Sequence, residues 1–219
     1  MFINQDNFRD SSPCPGCPRL SYVRILNASP VPHASIDVYL NTVLIASDIA
    51  YEEFTPYIPI AEGTYSISIL PSGKKTGAIE TKTINIKPHS IYTLAFAGER
   101  PDYSIEEYME PQKPLPQGKA LVRFAHLAPD APAVNLTLSN GEVLFSDVQY
   151  KNLTDYRELS PGTYTLQLRL PGSNQVVLTV PNALFKAGRY YTIYAVGLVS
   201  GNPPLQLILP LDGNSYIKM

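Results

Sequence analysis

Two thiols three positions apart, Cys14 and Cys17 in the stretch SSPCPGCPRL at residues 11 to 20, are the only cysteines of the chain and the first place to look for chemistry. A lone Cys-x-x-Cys can ligate zinc, exchange electrons or form a disulfide. Zinc wants four ligands, and no second cysteine pair or His-x-His group follows, so only sharing between chains would complete such a site. Thioredoxin-like exchange needs the first cysteine at a helix N-terminus in a βαβ setting, and the prolines at 13, 15 and 18 discourage a helix. A disulfide is left, within the pair or between chains. The ring closed within the pair is small and barely constrains the unfolded chain. A link to another subunit does more, which makes Cys14 and Cys17 candidates for an intersubunit disulfide.

Other chemistry-bearing groups are sparse. The three histidines are His33, His89 and His126, and no Gly-x-Ser-x-Gly elbow, phosphate loop or His-Glu-x-x-His occurs. Glu52-Glu53 and Glu106-Glu107 are adjacent carboxylates, which on a strand point to opposite faces and read as solvated charges. The run DGNS at 212 to 215 offers Asp and Asn oxygens, lacks the rest of a calcium loop, and reads as a plain turn. No catalytic residue, metal site or cofactor is expected.

The 219 residues are 44% hydrophobic and 16% charged, with no apolar run of membrane-spanning length, so a β-rich soluble class with no membrane insertion is expected. Prolines number 21, about twice the usual share, and with 13 glycines and 15 tyrosines they argue for turns and strands. A net charge of −2 without a basic cluster removes the footprint that nucleic acid requires. The N-terminus MFINQDNFRD has neither the basic start nor the apolar core of a signal peptide, which points to synthesis in the cytoplasm.

The elements that must position any site come in two copies. At a shift of 99, Val23-Arg24 falls on Val122-Arg123, Pro30 on Pro129, Tyr51 on Tyr150, Gly63-Thr64-Tyr65 on Gly162-Thr163-Tyr164, Tyr92-Thr93 on Tyr191-Thr192, and Gly98 on Gly197. Within each copy the period is two: Tyr65, Ile67 and Ile69 alternate with Thr64, Ser66 and Ser68, and Tyr164, Leu166 and Leu168 alternate with Thr165, Gln167 and Arg169. The first strand of each copy, with Val23 and Ile25 matching Val122 and Phe124, is expected to bury one face and wet the other. Asn140-Gly141 predicts a hairpin. About seven short strands in roughly 80 residues predict an all-β chain of two tandem antiparallel β-sandwiches, immunoglobulin-like or transthyretin-like. The expected division is an N-terminal arm with the Cys pair at 1–19, a first module at 20–98, an acidic and Pro-rich linker at 99–118 whose central part can pair with the first module, and a second module at 119–219 with a C-terminal edge strand.

The stretch VRFAHLAPDAPAVNLTL at 122 to 138, with SPGTYTLQL and AGRYYTIYAVG after it, resembles the bacterial modules of the domain of unknown function 4397 family; VRILNASPVPHASIDVYL and AEGTYSISIL form a weaker second match. The resemblance implies repeated β-sandwich modules outside the cell without known catalysis. Of the polar positions of that pattern, the second module keeps His126 and Asp130 but has Asn135, and the first keeps Asp37 but has Asn27 and Val31. Incomplete sets favour turn and strand-end hydrogen bonding over a ligand site.

An arm carrying Phe2, Ile3 and Phe8 among polar residues is suited to lie along a neighbour's sheet edge, with Cys14 and Cys17 locking the joint. A contact of that kind that does not close gives a filament. The expected function is therefore a non-enzymatic structural subunit of a bacterial spore-surface or cell-surface assembly, its partner a second copy of itself or another surface-layer protein. The final location is then the spore surface or the extracellular surface. The alternative is a surface module that binds carbohydrate or protein through its loops and tyrosines.

Overall fold

The computed structural model describes residues 20–30, 35–173 and 175–218. In the first half, β1 (Leu20–Asn27), β4 (Ile58–Ala61), β7 (Ile91–Ala97) and β8 (Ser104–Met109) form one sheet in the order β4-β1-β7-β8. Facing it, β2 (Ile36–Leu40), β3 (Val43–Ile49), β5 (Gly63–Pro71) and β6 (Glu80–Ile86) form a second sheet in the order β3-β2-β5-β6. The second half repeats this. Strands β9 (Ala120–His126), β12 (Arg157–Leu159), β15 (Tyr190–Val196) and β16 (Gln206–Ile208) are ordered β12-β9-β15-β16, and β10 (Val134–Leu138), β11 (Val143–Val148), β13 (Gly162–Arg169) and β14 (Val176–Phe185) are ordered β11-β10-β13-β14.

The chain is thus all-β, two sandwiches built alike. One feature departs from the antiparallel expectation: β1 runs parallel to β7 and β9 parallel to β15, with Val23 opposite Tyr92 and Val122 opposite Tyr191. Strand β8 lies within the stretch 99–118 and pairs with β7 from Tyr92↔Met109 to Ala97↔Ser104. Gly141, at φ 91, makes the hairpin between β10 and β11, where the Asn140 side chain accepts the Glu142 N–H.

Each sandwich has its own core. Val23, Ile25, Val38, Ile67 and Leu94 fill the first; Val122, Phe124, Leu136, Leu166 and Ile193 fill the second. A third cluster draws on both halves, with Leu26, Ala95, Ala97 and Tyr108 meeting Ala125, Leu127, Tyr194 and Val196. The β4-β1-β7-β8 and β12-β9-β15-β16 sheets therefore pack on each other, and the molecule is a stack of four sheets. Tyr194 of the second half lies 5.8 Å from the Phe54 ring and 6.3 Å from the Tyr108 ring of the first.

This stack corrects the expectation for the first strands. All seven residues of β7 and of β9 are buried, and in β1 the side facing away from its own core, Arg24 and Leu26, is buried too. In β7, β9 and β1 from Val23 onward no face is wet, because the other half covers it, while Leu20 at the start of β1 is exposed. The outer strands β5 and β13 keep the alternation, with Ile67, Ile69, Leu166 and Leu168 buried and Thr64 and Thr163 exposed or nearly so.

Gly98 and Gly197 end β7 and β15 at φ 93 and 87, where a Cβ would stand 2.3 Å from the Asp102 carbonyl oxygen and 2.2 Å from that of Pro204. Both the left-handed backbone and the close approach demand glycine. Gly73, at φ 74, has open space around it. Gly98→Ala and Gly197→Ala are each expected to cost about 2 kcal/mol or more in urea denaturation, against about 1 kcal/mol for Gly73→Ala.

Candidate functional site at the joint between the halves

An arginine projects from each first strand into the joint. Arg24 on β1 and Arg123 on β9 are 3% and 1% exposed, and the carboxylates that meet them, Asp212 and Glu110, are 0% and 2% exposed. Charges so deep must be paired or they would not stay charged. The pairing follows the repeat. Arg24 donates from Nε to Thr93 Oγ1 on the neighbouring β7 at 2.8 Å, and Arg123 donates from Nε to Thr192 Oγ1 on β15 at 2.7 Å.

Beyond these threonines each guanidinium crosses into the other half. Arg24 Nη1 donates to the Leu211 carbonyl at 2.7 Å and Nη2 to Asp212 Oδ1 at 3.0 Å. Arg123 Nη1 donates to the Met109 carbonyl at 2.8 Å, and its Nε lies 3.7 Å from Asp212 Oδ2. Aromatic faces close the sides: Arg24 stands 4.8 Å from the rings of both Phe54 and Tyr57, and Arg123 stands 4.6 Å from the Tyr156 ring.

The carboxylates are related in the same way. The Glu110 N–H donates to the Ile91 carbonyl and the Asp212 N–H to the Tyr190 carbonyl, equivalent places on β7 and at the start of β15. Tyr57 donates its hydroxyl to Glu110, and Tyr156 donates its own to Asp212 Oδ2 at 2.5 Å, where Thr192 Oγ1 donates as well at 2.6 Å. Symmetry stops at the second arginine. Asp212 sits between both guanidiniums, whereas Glu110 turns to Tyr57 and to the Asn214 N–H, and Arg123 Nη2 has no hydrogen-bond partner among the described residues.

Burial works against the charge on Arg24, yet Tyr194, Tyr57, Asp212 and Glu110 around it raise its pKa above the ordinary value, and Arg123 is raised likewise with Asp212 as its main support. Burial, and then Asp212, push the Glu110 carboxyl up to about 7 against the pull of Arg24, Tyr57 and Arg123. Burial also raises the Tyr57 and Tyr156 hydroxyls far above their ordinary range.

Two cations and two carboxylates enclosed in this way are out of reach of any substrate. Their hydrogen bonds tie the two halves together, since Arg24 reaches Leu211 and Asp212 and Arg123 reaches Met109. Breaking the contact between the halves would take Arg24 from Asp212 and the Leu211 carbonyl and Arg123 from the Met109 carbonyl, leaving buried cations short of acceptors.

The candidates named from the sequence fall elsewhere. Cys14, Cys17, Phe2, Ile3, Phe8, Val31 and His33 lie outside the described residues. The remaining polar positions of the family pattern bond to backbone. Asn27 Nδ2 donates to the Ile49 carbonyl, Asp37 accepts the Asp48 and Gly73 N–H groups, Asn135 accepts the Asp147 N–H, and Asp130 accepts those of Val199 and Ser200. His126 is the neutral Nε2–H tautomer, donating to the Pro132 carbonyl while Nδ1 accepts the Ala128 N–H, and burial lowers its pKa. Glu52 and Glu53 occupy a loop rather than a strand: Glu52 accepts from Gln206 of the other half, and Glu53 accepts the Ala50 N–H. Glu107 pairs with Lys82 at 2.9 Å.

The run at 212 to 215 requires correction. Ser215 does close a short turn with Asp212, but the Asp212 side chain is the centre of the ion cluster rather than a solvated turn residue. The available signal was the recurrence of Arg24, Tyr57 and Thr93 as Arg123, Tyr156 and Thr192. Among the described residues no group of three or more His, Cys, Asp or Glu is placed to hold a metal ion, and no helix is long and apolar enough to cross a membrane.

The family described as Domain of unknown function (DUF4397) matches in two consecutive segments, residues 21–137 and 137–215. No curated protein matches the sequence. Among solved structures, the Bacillus anthracis TIE protein aligns at 10% identity and a TM-score of 0.26 over 81% of this chain, which spans 34% of that chain. CBMbc, a family CBM26 module of Eubacterium rectale Amy13K solved with maltoheptaose, aligns at 8% identity and 0.27, over 89% of this chain and 99% of that one. A DUF3823 family protein from Bacteroides ovatus aligns at 8% identity and 0.22, over 76% and 97%.

Removing the central carboxylate leaves two buried guanidiniums without their counter-ion. Asp212→Ala is expected to lower the unfolding free energy by about 3–5 kcal/mol in urea titration. Glu107→Ala, which breaks only the half-exposed pair with Lys82, should change it by less than about 1 kcal/mol.

Proposed function

This chain belongs to the DUF4397 family, and we propose that it is a non-enzymatic structural subunit of a bacterial surface layer or fibre, on the spore or the cell. The observation that carries the reading is where the strongest electrostatics lie. Arg24, Arg123, Asp212 and Glu110 are buried in the joint between the sandwiches, where they bond across it rather than facing solvent. A subunit that sets spacing in an assembly needs its two modules held as one body, and a buried, hydrogen-bonded ion cluster specifies one alignment.

In this reading the arm at 1–19 joins copies. Phe2, Ile3 and Phe8 supply apolar side chains for a neighbour's surface, and Cys14 and Cys17 supply the covalent link. Each disulfide forms between two thiols, one from each subunit, with two electrons and two protons passing to an oxidant such as dioxygen at the cell exterior.

Gel electrophoresis of native material tests the proposal. Without reductant a ladder of linked subunits is expected, collapsing to one band with reductant and absent from the Cys14→Ser/Cys17→Ser double variant. A single monomer band in both conditions would count against linked subunits. Electron microscopy of the same material showing only dispersed particles would remove the layer or fibre as well.

A further inference from the structure

The two halves differ at the β2-β3 and β10-β11 hairpins. Arg157 on β12 donates from Nη1 to the Val143 and Leu144 carbonyls of β11, at 2.7 and 3.0 Å, and from Nη2 to Glu142 Oε1 at 3.0 Å, so a charged side chain covers the edge of that strand. The first half has no such cover. Register places Ile58, opposite Val23, where Arg157 stands opposite Val122. Leu44, opposite Tyr39, corresponds to Val143, opposite Thr137, and Val43 therefore to Glu142. Isoleucine and valine thus stand where the second half has its ion pair. The Val143 carbonyl points away from β10 to reach Arg157, and the Leu44 carbonyl occupies the same register. Among the described residues no side chain donates to the Leu44 or Ile45 carbonyls, and Val43 and Leu44 are 62% and 46% exposed.

A bare sheet edge offers N–H and C=O groups to another chain, and proteins blunt such edges with charge, proline, short strands or bulges. The other described edges are blunted. Pro59 interrupts β4, Pro181 interrupts β14 beside Asn182 at φ 61, and β16 is three residues long. Charged side chains stand on β6, β8 and β12, and Lys82 of β6 donates to the Ile105 carbonyl of β8. On β3 the run 43–47 carries no charge, and Asp48 after it turns to Ser35 and Ser72. The bulges of β3 recur in β11, so they do not set the two edges apart.

We propose that β3 pairs antiparallel with β3 of a second copy about a two-fold axis, joining two outer sheets into one of eight strands. The occupant follows from the edges. Among the described residues β3 is the one bare edge, so the edge of this chain free to add to it is its own counterpart, and an uncharged strand meets its copy without like charges face to face. Val43, Leu44 and Ile58 supply the apolar surface of the contact. With a single such edge on each chain the pair closes, and this contact does not extend into a fibre. It is separate from the arm at 1–19 and holds whether or not the arm links copies.

Sedimentation velocity of the full chain carrying Cys14→Ser and Cys17→Ser, which removes covalent links between copies, tests the pairing. A shift from monomer to dimer is expected between about 1 and 100 μM. Val43→Glu/Ile58→Arg, which copies the Glu142–Arg157 pair into the first half, is expected to raise the dissociation constant about tenfold or more. Should that variant not fold, Leu44→Lys alone, at an exposed position, takes its place. A monomer throughout the range would overturn the proposal, as would a dimer left at full strength by these substitutions. Phe2→Ser/Ile3→Ser/Phe8→Ser separates the edge from the arm: the dimer should persist, and its loss would give the contact to the arm and overturn the pairing of β3 with itself.

Discussion

Two guanidiniums buried on the facing surfaces of two sheets impose a condition that the rest of the molecule satisfies. Each is held at its own half by a threonine on the adjacent strand and must find its remaining acceptors across the joint: Leu211 and Asp212 for Arg24, Met109 for Arg123. Apolar packing alone, through Ala95, Ala97, Ala125 and Leu127, would tolerate sliding of one sheet over the other. Directional bonds to charged groups do not, because a small slip leaves a buried cation without an acceptor. The apolar contact supplies the attraction between the halves, and the ion cluster supplies the alignment.

Duplication explains how such a joint arises. Two copies of one sandwich, packed through equivalent sheets, place the same arginine, threonine and tyrosine on both sides of the joint. Perfect symmetry would put like beside like. The departure lies in the carboxylates, where one half has Glu110 and the other Asp212, the latter carried on a segment that reaches back over the first half. The longer side chain turns aside to Tyr57 and Asn214, while the shorter one takes the central place between the cations.

Much of the architecture was legible in the sequence. The offset between copies, the alternation of β5 and β13 and the Asn140-Gly141 turn depend on local chain chemistry, which a linear reading captures. The joint was not. Alternation in β1 and β9 reports two distinct faces but not what covers the second, and a strand pattern carries no information on whether its neighbour runs parallel, as β7 and β15 do. Asp212 stands in a run that looks like any polar turn, and Glu110 follows acidic residues that look solvated. A buried ion cluster uses the same residue types as a wet surface, and only their convergence from distant parts of the chain reveals it. The Arg24/Arg123 and Thr93/Thr192 positions were visible as landmarks of duplication, and their meaning depended on seeing the two sheets face each other. The cysteine arm falls outside the described residues and stands as a proposal.

The central claim is that the two sandwiches form one body through the ion cluster and the contact around it. Differential scanning calorimetry of the full chain tests this most directly. One transition, with calorimetric and van't Hoff enthalpies in agreement, is the expected result, since neither half should melt while the other holds its buried charges. Two resolved transitions, each carrying about half of the total enthalpy, would show that the halves unfold independently and would contradict the account.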